Sequence, residues 1–265
     1  MSAFELSGRR RTLVVVGNGM VGHRLLEVLV DRGATAEWDI VTFCEEPRVA
    51  YDRVALSALF AGSTPEDLTM VRPGFFDRAG VSVHVDDAVV AIDRHHHEVV
   101  SCRGQRIGYD TLVLATGSVP FVPPVPGRDA LGCFVYRTVD DLNAIRAYAT
   151  ASTGGVPAPR VGAVVGGGLL GLEAANALRS LGLETHVVEF APRLMPAQID
   201  DRGSAALRSR IDELGVQVHT GVATKEIIVS GSGRVSGMRF AASPAGGDAP
   251  GDLDVDLVVF SAGIR

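Results

Sequence analysis

Two glycine-rich turns in one chain limit the fold more tightly than any other feature. Gly17-Asn18-Gly19-Met20-Val21-Gly22 and Gly166-Gly167-Gly168-Leu169-Leu170-Gly171 both read GxGxxG. Each follows a short apolar strand, Leu13 to Val16 and Val161 to Val165, and each opens an amphipathic stretch, Arg24 to Asp31 and Leu172 to Leu181. Glycine lets the chain turn sharply from strand to helix and lets backbone amides approach a pyrophosphate, whose charge rests on the helix N-terminus. Each turn also has an acid about twenty residues past its last glycine, where a carboxylate accepts a ribose hydroxyl. After Ile40 to Phe43 that acid is Glu45 or Glu46, since a one-residue shift of the strand end exchanges them; after Thr185 to Val188 it is Glu189. Two dinucleotides on one chain imply electron movement between them.

With 265 residues, the duplicated strand-helix-strand unit favours two domains over one. The apolar fraction of 46% is enough for buried parallel sheets, and a net charge of −6 without any lysine or arginine block argues against a nucleic-acid partner. No apolar run approaches the roughly 18 residues of a membrane helix. Arg9-Arg10-Arg11 precedes only a short apolar segment, which suggests the lead-in to a strand and not a signal peptide. Cys44, Cys102 and Cys133 are odd in number and widely spaced, which points to a reducing cytoplasm. They form no CxxC pair and are too few to ligate an iron–sulfur cluster, so each is expected as a small buried hydrophobe.

Apolar and polar residues alternate through Val81 to Val85, Ala88 to Ile92, Glu98 to Ser101 and Thr111 to Leu114, which predicts a small antiparallel meander. His95-His96-His97 falls at one of its turns, where three adjacent side chains cannot all face one metal, so no metal site is expected. Ala115-Thr116-Gly117 closes the last of these strands, and the proline-rich segment Pro120 to Pro126 crosses a domain boundary. Thr138 with Asp141 makes a capping-box start for a helix carrying Leu142, Ile145 and Ala149. Ala151 to Pro159 reads as a linker, and Asp200 caps a helix with Leu207, Ile211 and Leu214 that Gly215 stops. Ala241 to Gly251 reads as a surface hairpin loop. The chain closes on the strand Leu257 to Phe260 and Ser261-Ala262-Gly263-Ile264-Arg265 without a following helix, the expectation for a piece of a longer protein.

The two fingerprints, Ala115-Thr116-Gly117 and Ala262-Gly263-Ile264 together resemble the pyridine nucleotide-disulfide oxidoreductases. The blocks GNGMVGHR (Gly17 to Arg24), CEEPRVAYDRVALS (Cys44 to Ser57), FVYRTVDDLNAIRA (Phe134 to Ala147), VVGGGLLGLEAANA (Val164 to Ala177), THVVEFAP (Thr185 to Pro192) and FSAGIR (Phe260 to Arg265) are similar to the N-terminal part of the large subunits of NAD(P)H-dependent assimilatory nitrite reductases. The resemblance implies an α/β fold of two Rossmann-like domains, three-layer, each a parallel sheet with an antiparallel meander. It implies an FAD domain of residues 1-118 and 252-265, discontinuous and truncated at its C-terminal end, and an NAD(P)H domain of 119-251. FAD would lie on the first turn and NADH, with NADPH as the alternative, on the second.

By the same resemblance Glu173 stands near the nicotinamide as the catalytic residue, and Arg53 and Ser57 line the flavin pocket. Relatives that reduce disulfides carry a cysteine pair where this chain has Tyr51 to Ser57, and many ferredoxin reductases carry a lysine where it has Ala58. Hydride would pass from NADH to flavin, then single electrons to the [4Fe-4S], sirohaem and [2Fe-2S] centres expected in the remainder of a full subunit, where nitrite becomes ammonium. A small subunit is a further candidate partner. Two other readings fit the same residues: a reductase serving a ferredoxin, a rubredoxin or a nitrate reductase, and a non-enzymatic NADH-binding sensor.

Overall fold

The computed structural model describes residues 9–77, 80–152, 158–242 and 251–265. They gather into two units, one reaching Ala55 and resuming over Thr64–Gly117, the other made of Leu56–Ser63 and Ser118–Arg265.

In the first unit β1 (Arg11–Val16) leads through the glycine turn into α1 (Met20–Asp31) and then β2 (Trp38–Phe43) and β3 (Val81–His84). The strand β7 (Thr111–Leu114) completes a four-stranded sheet in the order β3-β2-β1-β7, all pairs parallel. Strand residues alternate faces, and β1 uses both. Leu13 and Val15 pack with Leu26 of α1, Ile40, Phe75 and Val81, whereas Val14 and Val16 pack with Phe43 and Val99. Val99 belongs to β5 (Glu98–Ser101), which with β4 (Val89–Asp93) and β6 (Arg106–Gly108) forms a separate three-stranded antiparallel sheet. A sheet covered on both faces explains why β1 is an unbroken apolar run.

The second unit repeats the plan. Its strands β8 (Cys133–Val135), β9 (Val161–Val165), β10 (Glu184–Glu189), β11 (Val216–Thr220) and β14 (Leu257–Phe260) form a parallel sheet in the order β11-β10-β9-β14-β8. The helices are α2 (Val139–Thr150), α3 (Leu169–Ser180) and α4 (Asp201–Glu213), and the strands β12 (Val222–Val229) and β13 (Val235–Ala242) form a bulged antiparallel ribbon. Ala163, Val165, Val258 and Phe260 face that ribbon, meeting Ile227, Met238 and Phe240. On the other face Gly162 lets Leu178 of α3 close on β9, since a Cβ there would stand 2.9 Å from its Cδ1. In both units an antiparallel segment takes the place of a helix before the strand beside the first strand.

Four expectations need correction. β3 and β7 are not meander strands; they are the two edges of the parallel sheet, and edge strands alternate because they are only half covered. The closing strand β14 pairs with β9 and β8, so residues 252–265 lie with the second unit and not with 1–118. The segment 56–63 also groups with the second unit, where Arg146 donates to the Leu59 carbonyl and lies 5.3 Å from the Phe60 ring. Cys102 is exposed, whereas Cys44 is buried and Cys133 intermediate. Along α4, Asp200 caps as expected, accepting from Gly203 N–H at 2.8 Å, yet Leu214 stays exposed. The linker and loop readings at Ala151 to Pro159 and Ala241 to Gly251 fall partly on 153–157 and 243–250, outside the described residues. No helix among the described residues is long and apolar enough to cross a membrane.

His23 of α1 is fully buried, its ring edge-on to Phe75 at 5.0 Å. Burial lowers its pKa and outweighs the raising effects of Glu27 and the Met70 backbone; Arg72 acts with burial. The folded protein therefore holds the neutral ring while the unfolded chain takes a proton below about pH 6.5. Stability conferred at neutral pH is lost as pH falls through that range. Urea midpoints should drop between pH 7 and pH 5, with a slope from this group of at most about 1.4 kcal/mol per pH unit. His23→Phe should reduce that slope; an unchanged slope would assign the acid sensitivity elsewhere, with His186 and His219, also lowered mainly by burial, next to be tested.

Candidate functional site

Both glycine turns have the same internal geometry. Gly17 (φ 108°) and Gly166 (φ 120°) adopt backbone conformations that side chains rarely take, and a Cβ on either would strike a carbonyl oxygen, Ala115 O at 2.2 Å and Ser261 O at 2.3 Å. The third glycines, Gly22 and Gly171, sit inside the first helical turn, where a Cβ would come within 2.0 and 1.9 Å of Gly17 O and Gly166 O. The helices thus start at Met20 and Leu169, earlier than the amphipathic stretches suggested. Between these packed positions, a Cβ on Gly19 or Gly168 would meet nothing within 4 Å. Two glycines of each turn serve the fold, and the middle one leaves an open approach to the backbone.

Helix ends reinforce the distinction. α2 is capped by Thr138 with Asp140 and Asp141 in its first turn, and α4 is capped by Asp200 with Asp201 following. α1 and α3 begin at glycine caps with no side-chain hydrogen bond and no acid in the first turn. Among the described residues no side chain caps the first amides of either helix, so these amides and the positive dipole ends remain available, as phosphate binding requires. Val21, Leu169 and Leu170 are exposed apolar side chains on these same first turns. An open glycine, an uncapped helix and uncovered apolar surface fit a dinucleotide at both turns.

Loops after the strands complete each turn. Ala115 N–H donates to Val16 O at 2.8 Å and Ser261 N–H to Val165 O at 2.8 Å. LVLATG (Leu112 to Gly117) and VVFSAG (Val258 to Gly263) end alike in glycines of positive φ, so Ala115-Thr116-Gly117 lies at the first turn and Ala262-Gly263-Ile264 at the second. Pro120 bridges to Ile264, and Phe121 N–H bonds to Gly263 O at 2.9 Å.

The acids differ. Glu46 accepts from the Tyr51 hydroxyl at 2.7 Å and pairs with Arg53, whose guanidinium lies 4.9 Å from the Tyr51 ring. Glu45 is exposed at the strand end. Glu189 is fastened to its turn: Oε2 accepts Gly167 N–H and Oε1 accepts Ala191 N–H, each at 2.6 Å. A carboxylate has about four acceptor sites, so both oxygens keep capacity for ribose hydroxyls. Glu173 is half-buried in the second turn of α3, and burial raises its pKa. The Tyr136 phenol beside it is buried and pushed up mainly by desolvation, then by Glu173. Ser57 lies in the short helix Leu56–Ala61 of the second unit, apart in the chain grouping from Arg53.

Two contributions are not visible in the motif spacing. Asn18, expected at the cofactor on the first turn, is buried and its Oδ1 accepts the Ala50 N–H at 3.0 Å, tying the 44–53 segment to the first turn. Leu194 is buried against Gly167, so the chain after β10 folds back on the second turn. The histidines of the β4–β5 turn take separate partners, His96 Nδ1 lying 2.7 Å from Asp93 and His97 stacking on Tyr109.

The family model for pyridine nucleotide-disulphide oxidoreductases matches residues 11–265. The NADH nitrite reductase large subunit of Escherichia coli strain K12 is 49% identical over 253 residues, 96% of this chain and 28% of that protein. The NAD(P)H nitrite reductase large subunit of Klebsiella oxytoca is 51% identical over 253 residues, 96% of this chain and 25% of that one. This chain therefore spans about a quarter of the length of these relatives. Among solved structures, a ferredoxin reductase from Rhodopseudomonas palustris superposes with a TM-score of 0.82 at 30% identity, covering 96% of this chain and 59% of that one. With both glycine turns, their open middle positions and their uncapped helices inside the matched span, the chain belongs to the pyridine nucleotide-disulphide oxidoreductase family.

Proposed function

We propose that this chain is an electron-entry module that holds FAD on the Gly17–Gly22 turn and NAD(P)H on the Gly166–Gly171 turn, and that it feeds a nitrite-reducing centre carried by a longer subunit. The observation that carries this reading is the paired geometry: among the described α-helices only α1 and α3 start without a side-chain cap, and each does so beside a glycine whose missing Cβ leaves the backbone open. A flavin, when bound, accepts hydride from the nicotinamide and releases electrons singly.

The chain's own residues bind and orient. The α1 and α3 amides receive the pyrophosphates, Glu45 takes the first ribose because Glu46 is engaged by Tyr51 and Arg53, and Glu189 takes the second. Arg53 is a structural cation of the first unit. Ala262-Gly263-Ile264 borders the nicotinamide nucleotide, since it closes the second turn. Glu173 holds its proton to higher pH than an exposed glutamate and stands with Tyr136 on the inner face of α3. The nitrite reading, with its sirohaem and iron–sulfur centres elsewhere and a small subunit as partner, is supported by the identity to the two large subunits.

Titrating the chain with FAD and then with NADH, following flavin fluorescence and NADH fluorescence separately, tests the two assignments one at a time. One equivalent of each is expected. FAD binding that survives Gly19→Val and is lost with Gly168→Val would exchange the two turns.

A further inference from the structure

We propose that Asp201 sets the choice between NADH and NADPH by holding Arg193 away from the site of a 2′-phosphate; this rests on assigning the second turn to the nicotinamide dinucleotide. Beyond β10 the chain is fastened to that turn at several points. Glu189 accepts the Gly167 N–H, Met195 N–H donates back to Gly167 O at 3.0 Å, and Gly221 N–H donates to Ala191 O at 2.8 Å. Leu194 is buried, with its Cδ2 only 2.6 Å from where a Cβ on Gly167 would stand. Arg193 is thus held between two anchored points, and both Glu189 and the residues just after Arg193 contact the same glycine. Its backbone has little freedom; its side chain decides what it meets.

That side chain is turned toward α4. Nη1 pairs with Asp201 and Nη2 donates to Pro196 O at 3.1 Å. Asp201 opens α4, where the helix dipole favours its charge. With Arg193 neutralised in this way, the uncompensated charge at the ribose edge is Glu189, which accepts a 2′-hydroxyl and repels a 2′-phosphate. Yet the pair is a weak latch. The Asp201 side chain is 85% exposed, and exposed ion pairs contribute about 0–1 kcal/mol. A phosphate dianion offers a guanidinium a bidentate, charge-assisted partner that can compete with one exposed carboxylate. Two acids therefore enforce the preference, Glu189 by direct repulsion and Asp201 by occupying the one nearby cation on the loop.

Calorimetric titration of the full chain with 2′,5′-ADP and 5′-AMP as probes tests this without turnover. Asp201→Asn should tighten 2′,5′-ADP relative to 5′-AMP by about fivefold to tenfold. The gain should shrink as salt rises and vanish in the Asp201→Asn/Arg193→Met double variant. A thermal melt like the parent's would show that α4 is intact. An unchanged ratio in folded Asp201→Asn, or a gain that persists without Arg193, overturns the inference. Failure of the parent to bind either probe would instead remove the nucleotide assignment on which it rests.

Discussion

Gly168→Val should leave the empty protein nearly as stable as the parent yet weaken NADH binding by about a hundredfold or more, whereas Gly171→Ala should destabilise the protein before any ligand is added. The contrast follows from what each Cβ would meet. At Gly168 nothing lies within 4 Å and the backbone is extended (φ −85°, ψ −174°), so valine is accommodated at a cost of about 1 kcal/mol for the lost glycine cap. Its branched side chain then occupies the space through which the pyrophosphate reaches the α3 amides. A hundredfold loss corresponds to about 2.8 kcal/mol, in line with losing charge-assisted bonds to a helix terminus. At Gly171 the Cβ would stand 1.9 Å from the Gly166 carbonyl oxygen, which is backbone and cannot rotate away. Helix and strand must separate, at a cost of about 3 kcal/mol or more, lowering Tm by roughly 6–12 °C for a unit of this size. Gly19→Val and Gly22→Ala should reproduce the pair for FAD. Paired melting curves and binding titrations decide the matter; equal effects of Gly168→Val and Gly171→Ala on the empty protein would refute the division of labour within the turns.

The second large effect is all-or-none. Loaded with FAD and supplied with NADH, the 265-residue chain should reduce ferricyanide and form no ammonium from nitrite. Ferricyanide takes single electrons from a flavin without a dedicated site. Nitrite needs six electrons and a ligating centre, and a four-cysteine cluster cannot be assembled from Cys44, Cys102 and Cys133. Ammonium formed at a rate comparable to ferricyanide reduction would place the nitrite chemistry inside these residues.

Much of the architecture was legible because glycine leaves a pattern that chemistry enforces. The spacing of Gly17, Gly19 and Gly22 reports a tight turn, an open approach and a close helix contact, and the structure realises all three twice. Capping was equally direct: Thr138 and Asp141 form the capping box that their spacing predicts, and Leu142, Ile145 and Ala149 are buried. Strand partners were not legible. Val81-Ser82-Val83-His84 alternates because β3 is a half-covered edge, a pattern indistinguishable in sequence from an antiparallel strand. The closing strand β14 is apolar throughout, which fits the centre of either parallel sheet; only its pairing with β9 and β8 identifies which. Nor does sequence spacing show side chains bonding to distant backbone. Asn18 holding Ala50 joins residues 32 positions apart, and Arg193 turning to Asp201 depends on how the chain folds back over Gly167.

Reducing equivalents are expected to enter at the second turn and to reach a flavin on the first with no protein thiol taking part. Anaerobic rapid mixing of the FAD-loaded chain with NADH tests this route most directly, read as loss of the oxidised flavin absorbance, for the parent and for a variant with Cys44, Cys102 and Cys133 all replaced by serine. Full bleaching is expected in both, at similar rates, and about a hundredfold more slowly in Gly168→Val at the same subsaturating NADH concentration. Tight NADH binding that leaves the flavin oxidised, or bleaching that disappears with the three cysteines in a folded variant, would contradict this route.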